Sequence, residues 1–441
     1  MIKNSLKNIS KVINSGLTPL RSNSDYWIDG NIPWVKTEQL GVKYIYDSNE
    51  KITKNALENT SIKLNPANTL SIAMYGEGKT RGSVSILKNE TTTNQACCNI
   101  VIDEEKADFE FVYYNLKTQY KNLRNLSSGV RKNLNSNDIK NFEIYLPNLD
   151  SQKKIAKILS DLDAKIEINN KINQELEAMA KTLYDYWFVQ FDFPDKNEKP
   201  YKSSGGKMVF NEELRREIPE GWDDGTIGEI ADLIRGVSYS KKDIKTERDE
   251  GVIPILRATN ITKNVVDLEN MVYVDSEFAS SKQVLNKFDI LITMSSGSKD
   301  HIGKNGFYYF DKKVAFGAFC AKLVAKNNYR YYLYSYTQSD FMFATIKNES
   351  LGTNINNLNN SLVNGFNLVK PPNNILDDFN SKLKTIYHSI SNNLKQNQKL
   401  SELRDWLLPM LMNGQVSVGY AEQEVESLGL VAEGREEYKK E

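Results

Sequence analysis

The chain says nearly the same thing twice. Ile32-Pro33-Trp34-Val35 returns 221 residues on as Ile253-Pro254-Ile255-Leu256, and Leu70-Ser71-Ile72-Ala73-Met74 returns 220 residues on as Ile290-Leu291-Ile292-Thr293-Met294. Gln95-Ala96-Cys97-Cys98 has its counterpart near Gly317-Ala318-Phe319-Cys320, and Asn133-Leu134 has one at Asn357-Leu358. Phe142 and Pro147 return as Phe366 and Pro371. This spacing far exceeds the roughly 20–50 residues of a solenoid repeat. The repeated unit is therefore a whole domain, and two similar surfaces on one chain imply a task of reading two similar things.

At 441 residues the chain has room for two or three domains. A hydrophobic content of 40% with 26% charged residues is that of a globular protein with an ordinary core. No apolar run is long enough for a membrane span, and the first thirty residues lack a signal peptide's apolar stretch. The three cysteines, Cys97, Cys98 and Cys320, are too few for a disulfide framework and read as reduced core thiols of a cytoplasmic protein. Net charge is zero, which argues against a strongly basic nucleic-acid footprint. It is unevenly placed, however. Residues 1–148 carry 19 Lys+Arg against 15 Asp+Glu, while the tail from Asn413 carries seven Glu against one Arg and two Lys. A weakly basic module can still bind DNA if a partner adds positive charge.

Residues 1–149 read as a first mixed α/β module. Ile2 to Val12 has helix-like or mixed spacing, strands are expected at 69–75, 83–88 and 97–102, and a helix at 110–124. Residues 150–190 change character. Ile155, Leu159, Leu162, Ile166, Asn169, Asn173, Leu176, Ala180, Leu183 and Trp187 step by fours and threes, a heptad seam with a polar centre. A single such helix needs a partner. Ile386, Ile390, Asn393, Asn397, Leu400, Arg404, Leu407 and Leu411 provide a second seam, also with an Asn pair at its middle. An unpaired Asn in an apolar seam is costly, so paired Asn layers fix register. Residues 191–221, rich in proline and glycine, read as a linker. A second module follows at 222–374, then the second helix at 375–413 and an acidic tail at 414–441, expected to be frayed or partner-bound. The expected class is α+β: two tandem mixed α/β domains separated by two long helices packed as an antiparallel coiled coil.

Ala73-Met74-Tyr75-Gly76-Glu77-Gly78-Lys79-Thr80 satisfies a relaxed phosphate-loop pattern. A phosphate loop must open a helix. Here Arg81-Gly82-Ser83-Val84-Ser85-Ile86 reads as a returning strand, so the segment is a hairpin tip, and the second copy breaks the pattern. A nucleotide-hydrolysing role through this loop is the weaker use of it. As a DNA-facing tip it offers Lys79 and Arg81, matched by Lys299 and His301. Two more loops offer polar side chains: Lys36 and Thr37, matched by Arg257; and Arg131 and Lys132, matched by Asn354. Arg can bond base edges or phosphate, whereas Lys acts as a point charge. Any one of these is also what an ordinary solvated loop looks like. No Ser/His/Asp, Cys/His or metal-ligand constellation can be assembled from the two histidines, His301 and His388. No amino-methyltransferase signature or S-adenosylmethionine loop is present.

Two modules, each followed by a long helix and without catalytic groups, resemble the specificity subunit of Type I restriction–modification systems. The residues that carry the resemblance are Ile32-Pro33-Trp34, the run Asp150-Ser151-Gln152-Lys153-Lys154-Ile155-Ala156-Lys157-Ile158-Leu159 with Leu162-Asp163, and Tyr186-Trp187-Phe188-Val189-Gln190-Phe191-Asp192-Phe193-Pro194. Pro200-Tyr201-Lys202-Ser203-Ser204-Gly205-Gly206 and Ile218-Pro219-Glu220-Gly221-Trp222 add to it. The second helix departs from the pattern, with Asp377-Asp378-Phe379 at its start. The resemblance implies target-recognition domains that each read half of a split duplex DNA site, and helices that set the gap. It also implies docking of two modification (methyltransferase) subunits, with restriction subunits beyond. The seam residues Ile155, Leu159, Leu162, Leu183, Leu400 and Leu407 are the expected partner contacts. S-adenosylmethionine, ATP and Mg2+ are expected in the partner subunits and none in this chain, which would be non-catalytic. The competing class is a coiled-coil assembly scaffold that binds no DNA.

Overall fold

The structure is a computed structural model that describes residues 2–76, 78, 80–126, 133–262, 264–298, 301–352 and 357–427. The chain divides into two compact units, residues 1–167 with 398–441, and residues 168–397. Each long helix therefore contributes to both.

In the first unit, a five-stranded sheet runs in the order Ser10–Ser15, Cys97–Ile102, Thr69–Ala73, Val84–Leu87, Tyr44–Ile45. Thr69–Ala73 is buried along its whole length although Thr and Ser alternate with its apolar residues; the buried Ser71 hydroxyl is satisfied by Asn99 Oδ1 at 2.9 Å. Thr69–Ala73 and Val84–Leu87 pair antiparallel, from Thr69–Leu87 to Ile72–Val84, so the glycine-bearing segment between them is a hairpin as expected and opens no helix. A second sheet places Ile32–Val35 between Glu50–Ile52, antiparallel, and Thr92–Thr93, parallel. The segment Ile2 to Val12, whose spacing is helix-like or mixed, is extended rather than helical. It forms strand Ile2–Ser5, paired with Glu143–Leu146, and the start of strand Ser10–Ser15. Between them Asn8 N donates to Ser5 O, a turn of the kind Ser and Asn favour over helix. Helix Phe109–Thr118 is capped by Asp108, which accepts from Phe111 N, and it ends short of the expected span; Tyr120–Asn125 is a separate helix.

The second unit repeats this plan. Its larger sheet runs Ala231–Arg235, Cys320–Ala325, Ile290–Thr293, Asn305–Phe307, then Val265–Val266 and Ile261–Thr262. Its smaller sheet again sets one strand, Val252–Leu256, between an antiparallel neighbour, Val272–Asp275, and a parallel one, Ala315–Phe316. The repeat seen in the sequence is thus a repeat of topology.

The long helices span Leu149–Tyr184 and Asn373–Met412. The first ends in a π turn, Asp185–Val189, that buries both Trp187 and Phe188 among Trp222, Tyr332 and Phe379. In the second unit, Asn169 Nδ2 donates to Asn397 Oδ1 at 2.8 Å and to Gln396 Oε1 at 2.7 Å, and Asn393 Nδ2 donates to Asn173 Oδ1 at 2.8 Å. Residue numbers rise on one helix as they fall on the other, so these segments run in opposite directions. In the first unit Leu159, Leu162, Leu400, Leu407 and Leu411 share one core.

Two further expectations change. The linker 191–221 contains a hairpin, Met208–Asn211 with Arg216–Pro219, and buries Phe191 and Phe193 against Trp222. The acidic tail begins with helix Val418–Ser427, which buries Ala421 and Val425 in the first unit's core; residues 428–441 lie outside the described ones. All three cysteines are buried and unpaired, and burial pushes the Cys97 thiol up to about 12 and Cys98 to about 11. Among the described residues no helix is long and apolar enough to cross a membrane.

Candidate nucleic-acid interface

Each unit brings three segments remote in sequence to one hydrogen-bonded joint. In the first, Met74 N donates to Ala96 O at 2.8 Å, Leu134 N to Met74 O at 3.0 Å, and Asn94 N to Val35 O at 3.0 Å. In the second, Met294 N donates to Phe319 O at 2.8 Å, Leu358 N to Met294 O at 2.7 Å, and Gly317 N to Leu256 O at 2.8 Å. Met74 and Met294 are buried pivots of equivalent joints. The turn after Val35 or Leu256 and the segment after Met74 or Met294 leave from there, and the described chain resumes there just before Leu134 or Leu358. Three segments remote in sequence are thereby held side by side on rigid strands, which is how binding loops are usually presented.

In the first unit the joint carries Lys36, Thr37 and Arg81. Lys36 Nζ lies 2.8 Å from both Glu38 and Glu50, and those hydrogen bonds hold its pKa above the ordinary lysine value. Arg21 also pairs with Glu50 and stacks 3.8 Å over the Trp27 ring. Lys36 is therefore partly neutralised by its own module, a pairing that the remote position of Glu50 hides from the sequence. Thr37 opens a short 3-10 turn, Thr37–Gln39. Arg81 is partly buried at the hairpin, where Gly82 takes a φ of +84° that lets its amide bond Ala73 O. Arg124, which sequence reasoning missed, donates to Gly78 O at 2.6 Å and so braces the hairpin tip from a neighbouring helix.

In the second unit, Arg257 is exposed and spends one nitrogen on Asn270 O at 2.9 Å. His301 is exposed, with Nδ1 3.3 Å from Lys304 Nζ. Arg235, also missed, fixes the third segment through Leu358 O at 2.8 Å and Asn360 Oδ1 at 3.0 Å. Lys79, Arg131, Lys132, Lys299 and Asn354 lie outside the described residues.

The seam residues expected to meet a partner subunit are instead covered by the chain itself. Ile155, Leu159, Leu162, Leu400 and Leu407 are in the first unit's core, and Leu183 packs against the second's. Apolar side chains facing outward on the first long helix are others: Ile168, Ile172 and Met179, 44–57% exposed.

Residues 3–178 and 219–402 match the family described as the Type I restriction modification DNA specificity domain. The MjaIX Type I restriction enzyme specificity subunit of Methanocaldococcus jannaschii is 30% identical over 420 residues, 94% of this chain and 93% of that one. The HindI specificity subunit of Haemophilus influenzae is 22% identical over 392 residues, covering 72% and 78%. Among solved structures, the Type I restriction–modification S subunit from M. genitalium aligns over 93% of this chain and 95% of that one, with a TM-score of 0.54 at 18% identity, a likeness of fold.

Proposed function

The chain belongs to the DNA specificity family of Type I restriction–modification systems, and from that premise we propose that each of its modules reads one half of a split, asymmetric duplex site. The observation that carries this reading is the equivalent joint pivoting on Met74 and on Met294, with the same hydrogen bonds and different side chains around it. Equal frameworks hold the loops alike, and unlike side chains select unlike bases. Phosphate contacts would position each module, and a few base-edge contacts would specify sequence.

The two long helices form an antiparallel coiled coil that sets the gap between half-sites. Its support is the Asn169–Asn397 and Asn173–Asn393 layer, which tolerates one register because a slip leaves buried amides unpaired. Modification subunits dock on the outward faces of these helices, for which the exposed Ile168, Ile172 and Met179 are the available apolar row. In this division of labour the chain supplies address and geometry. S-adenosylmethionine, ATP and Mg2+ belong to the partner subunits.

Zero net charge favours one other reading, an assembly scaffold without DNA. Genome-wide methylation sequencing of a host expressing the chain with its modification subunit separates the two. The specificity reading expects one bipartite motif with a fixed spacer; complexes that assemble yet leave no such motif would leave the scaffold standing.

A further inference from the structure

The equivalent joints differ in where they put an aromatic ring. In the second unit the carbonyl at the joint belongs to Phe319, which accepts from both Met294 N at 2.8 Å and Ser295 N at 3.1 Å. The backbone of Phe319 is thus pinned twice, yet the residue is 69% exposed. The first unit has Ala96 at this place, 8% exposed and likewise accepting from the pivot methionine. A phenyl ring held in water by a fixed backbone contributes nothing to this unit's core. Its surroundings are polar: Ser295 bonds Asn357, and Arg257 leaves from the strand whose Leu256 O accepts from Gly317 N, two residues before Phe319. An apolar tip among base-reading polar groups matches one feature of duplex DNA, the thymine 5-methyl group in the major groove, which no hydrogen bond can read. Because its backbone is already ordered, little conformational freedom is lost when the ring is covered.

We propose that Phe319 is a specificity-determining residue of the second module, reading a thymine methyl in its half-site by apolar contact. The inference rests on the DNA-reading function proposed above and names one base feature and the residue that recognises it.

The test uses the chain assembled with its modification subunit, on duplexes carrying the methylated motif found by sequencing. Each thymine of the second half-site, on either strand, is replaced in turn by deoxyuridine, which removes only the methyl. The wild-type complex should lose roughly fourfold in affinity at one position, what burying a single methyl is worth. Phe319→Ala should bind thymine DNA about that much more weakly and be indifferent to the replacement, while Phe319→Leu keeps part of the discrimination. Replacements in the first half-site should affect wild type and variant alike. Phe319→Ala that discriminates thymine from uracil as wild type does overturns the proposal. So does a loss of affinity in Phe319→Ala without any thymine–uracil difference in wild type, which would make the ring a wedge between base pairs. A wild-type complex with no bipartite motif would instead sink the functional reading itself.

Discussion

Arg404 donates to Asp163 across the two long helices of the first unit, Nη1 to Oδ1 at 2.8 Å. The other oxygen of Asp163 accepts from the Tyr114 hydroxyl at 2.5 Å, and Lys43 Nζ lies 3.8 Å away. Tyr114 and Lys43 belong to the first module, Asp163 to the first helix and Arg404 to the second. One carboxylate thus joins all three, and both members of the pair are largely buried, with side chains 16% and 18% exposed. Burial, the largest influence on Lys43, holds its pKa below the ordinary value against the pull of Glu110 and Asp163.

Removing one partner of such a pair leaves the other charged and partly desolvated. Arg404→Ala is expected to lower stability by roughly 1.5–3 kcal/mol, the range for a hydrogen bond to a charged group. Arg404→Lys should recover only part of this, because a point charge replaces a fork. Urea unfolding of the full chain measures both; a loss under about 0.5 kcal/mol in Arg404→Ala would mean that the pair is screened by solvent.

The Asn layer predicts a loss for a single removal and the opposite sign when all four are replaced. Asn397→Ala removes one partner each from Asn169 and Asn170; Asn169 keeps Gln396 and Asn170 reaches water, so the loss should be about 1 kcal/mol. Replacing Asn169, Asn173, Asn393 and Asn397 together by Leu should leave the chain at least as stable, since the partners left behind, Gln396 and Asn170, both reach solvent. Register would be less well specified. Methylation sequencing is the discriminating measurement: the fourfold variant should produce motifs with more than one spacer length, and a single unchanged spacer would show that register is fixed elsewhere.

Glu177 gives a pH dependence. Burial raises its carboxyl from 4.5 to about 7. The folded chain therefore holds this proton more tightly than the unfolded chain does. That contribution to stability is fully present below about pH 4.5 and is lost as pH rises through about 7. Glu177→Gln removes the dependence. Its Tm should exceed that of the wild type by a few degrees at pH 8, on the order expected for about 1 kcal/mol in a chain of this size. The difference should shrink towards zero near pH 4.5. An equal Tm difference at both pH values would assign the effect to packing.

How much of this was legible in the sequence depends on the range of the interaction involved. Ile290–Thr293 could be read because a strand buried on both faces shows as a short apolar run, and Thr69–Ala73 because it repeats that segment with Leu70 and Ile72 in alternation. The Asn layer could be read because helical periodicity is local. Strand Ile2–Ser5 could not, since its partner, Glu143–Leu146, lies at the other end of the module. Lys36 looked like a free cation because Glu50 is remote in sequence. The docked helix Val418–Ser427 was hidden by its glutamates: Ala421 and Val425, one turn apart, are buried in the core and Val418 packs against its edge. Phe319 escaped notice for the converse reason. In Ala318-Phe319-Cys320 it reads as the start of a buried strand, and only the structure turns the ring outward.

The first module offers a matching case, and it tests whether the two joints are read independently. Tyr75 follows the pivot Met74 as Ser295 follows Met294, and it is 41% exposed. The first joint thus carries its aromatic on the hairpin arm, where the second carries Phe319 on the facing strand. Tyrosine adds a hydroxyl that can donate to or accept from a base edge, so its contact should be worth more than a methyl's. Tyr75→Phe removes only that hydroxyl. If the hydroxyl bonds a base, the variant complex should relax one position of the first half-site by about 0.5–1.5 kcal/mol of discrimination, the worth of one hydrogen bond, and leave the second half-site unchanged. Methylation sequencing with competing substrates reads both halves in one experiment. A change in the second half-site would contradict independent readout by two equivalent modules, and an unchanged motif would remove the Tyr75 hydroxyl from base recognition.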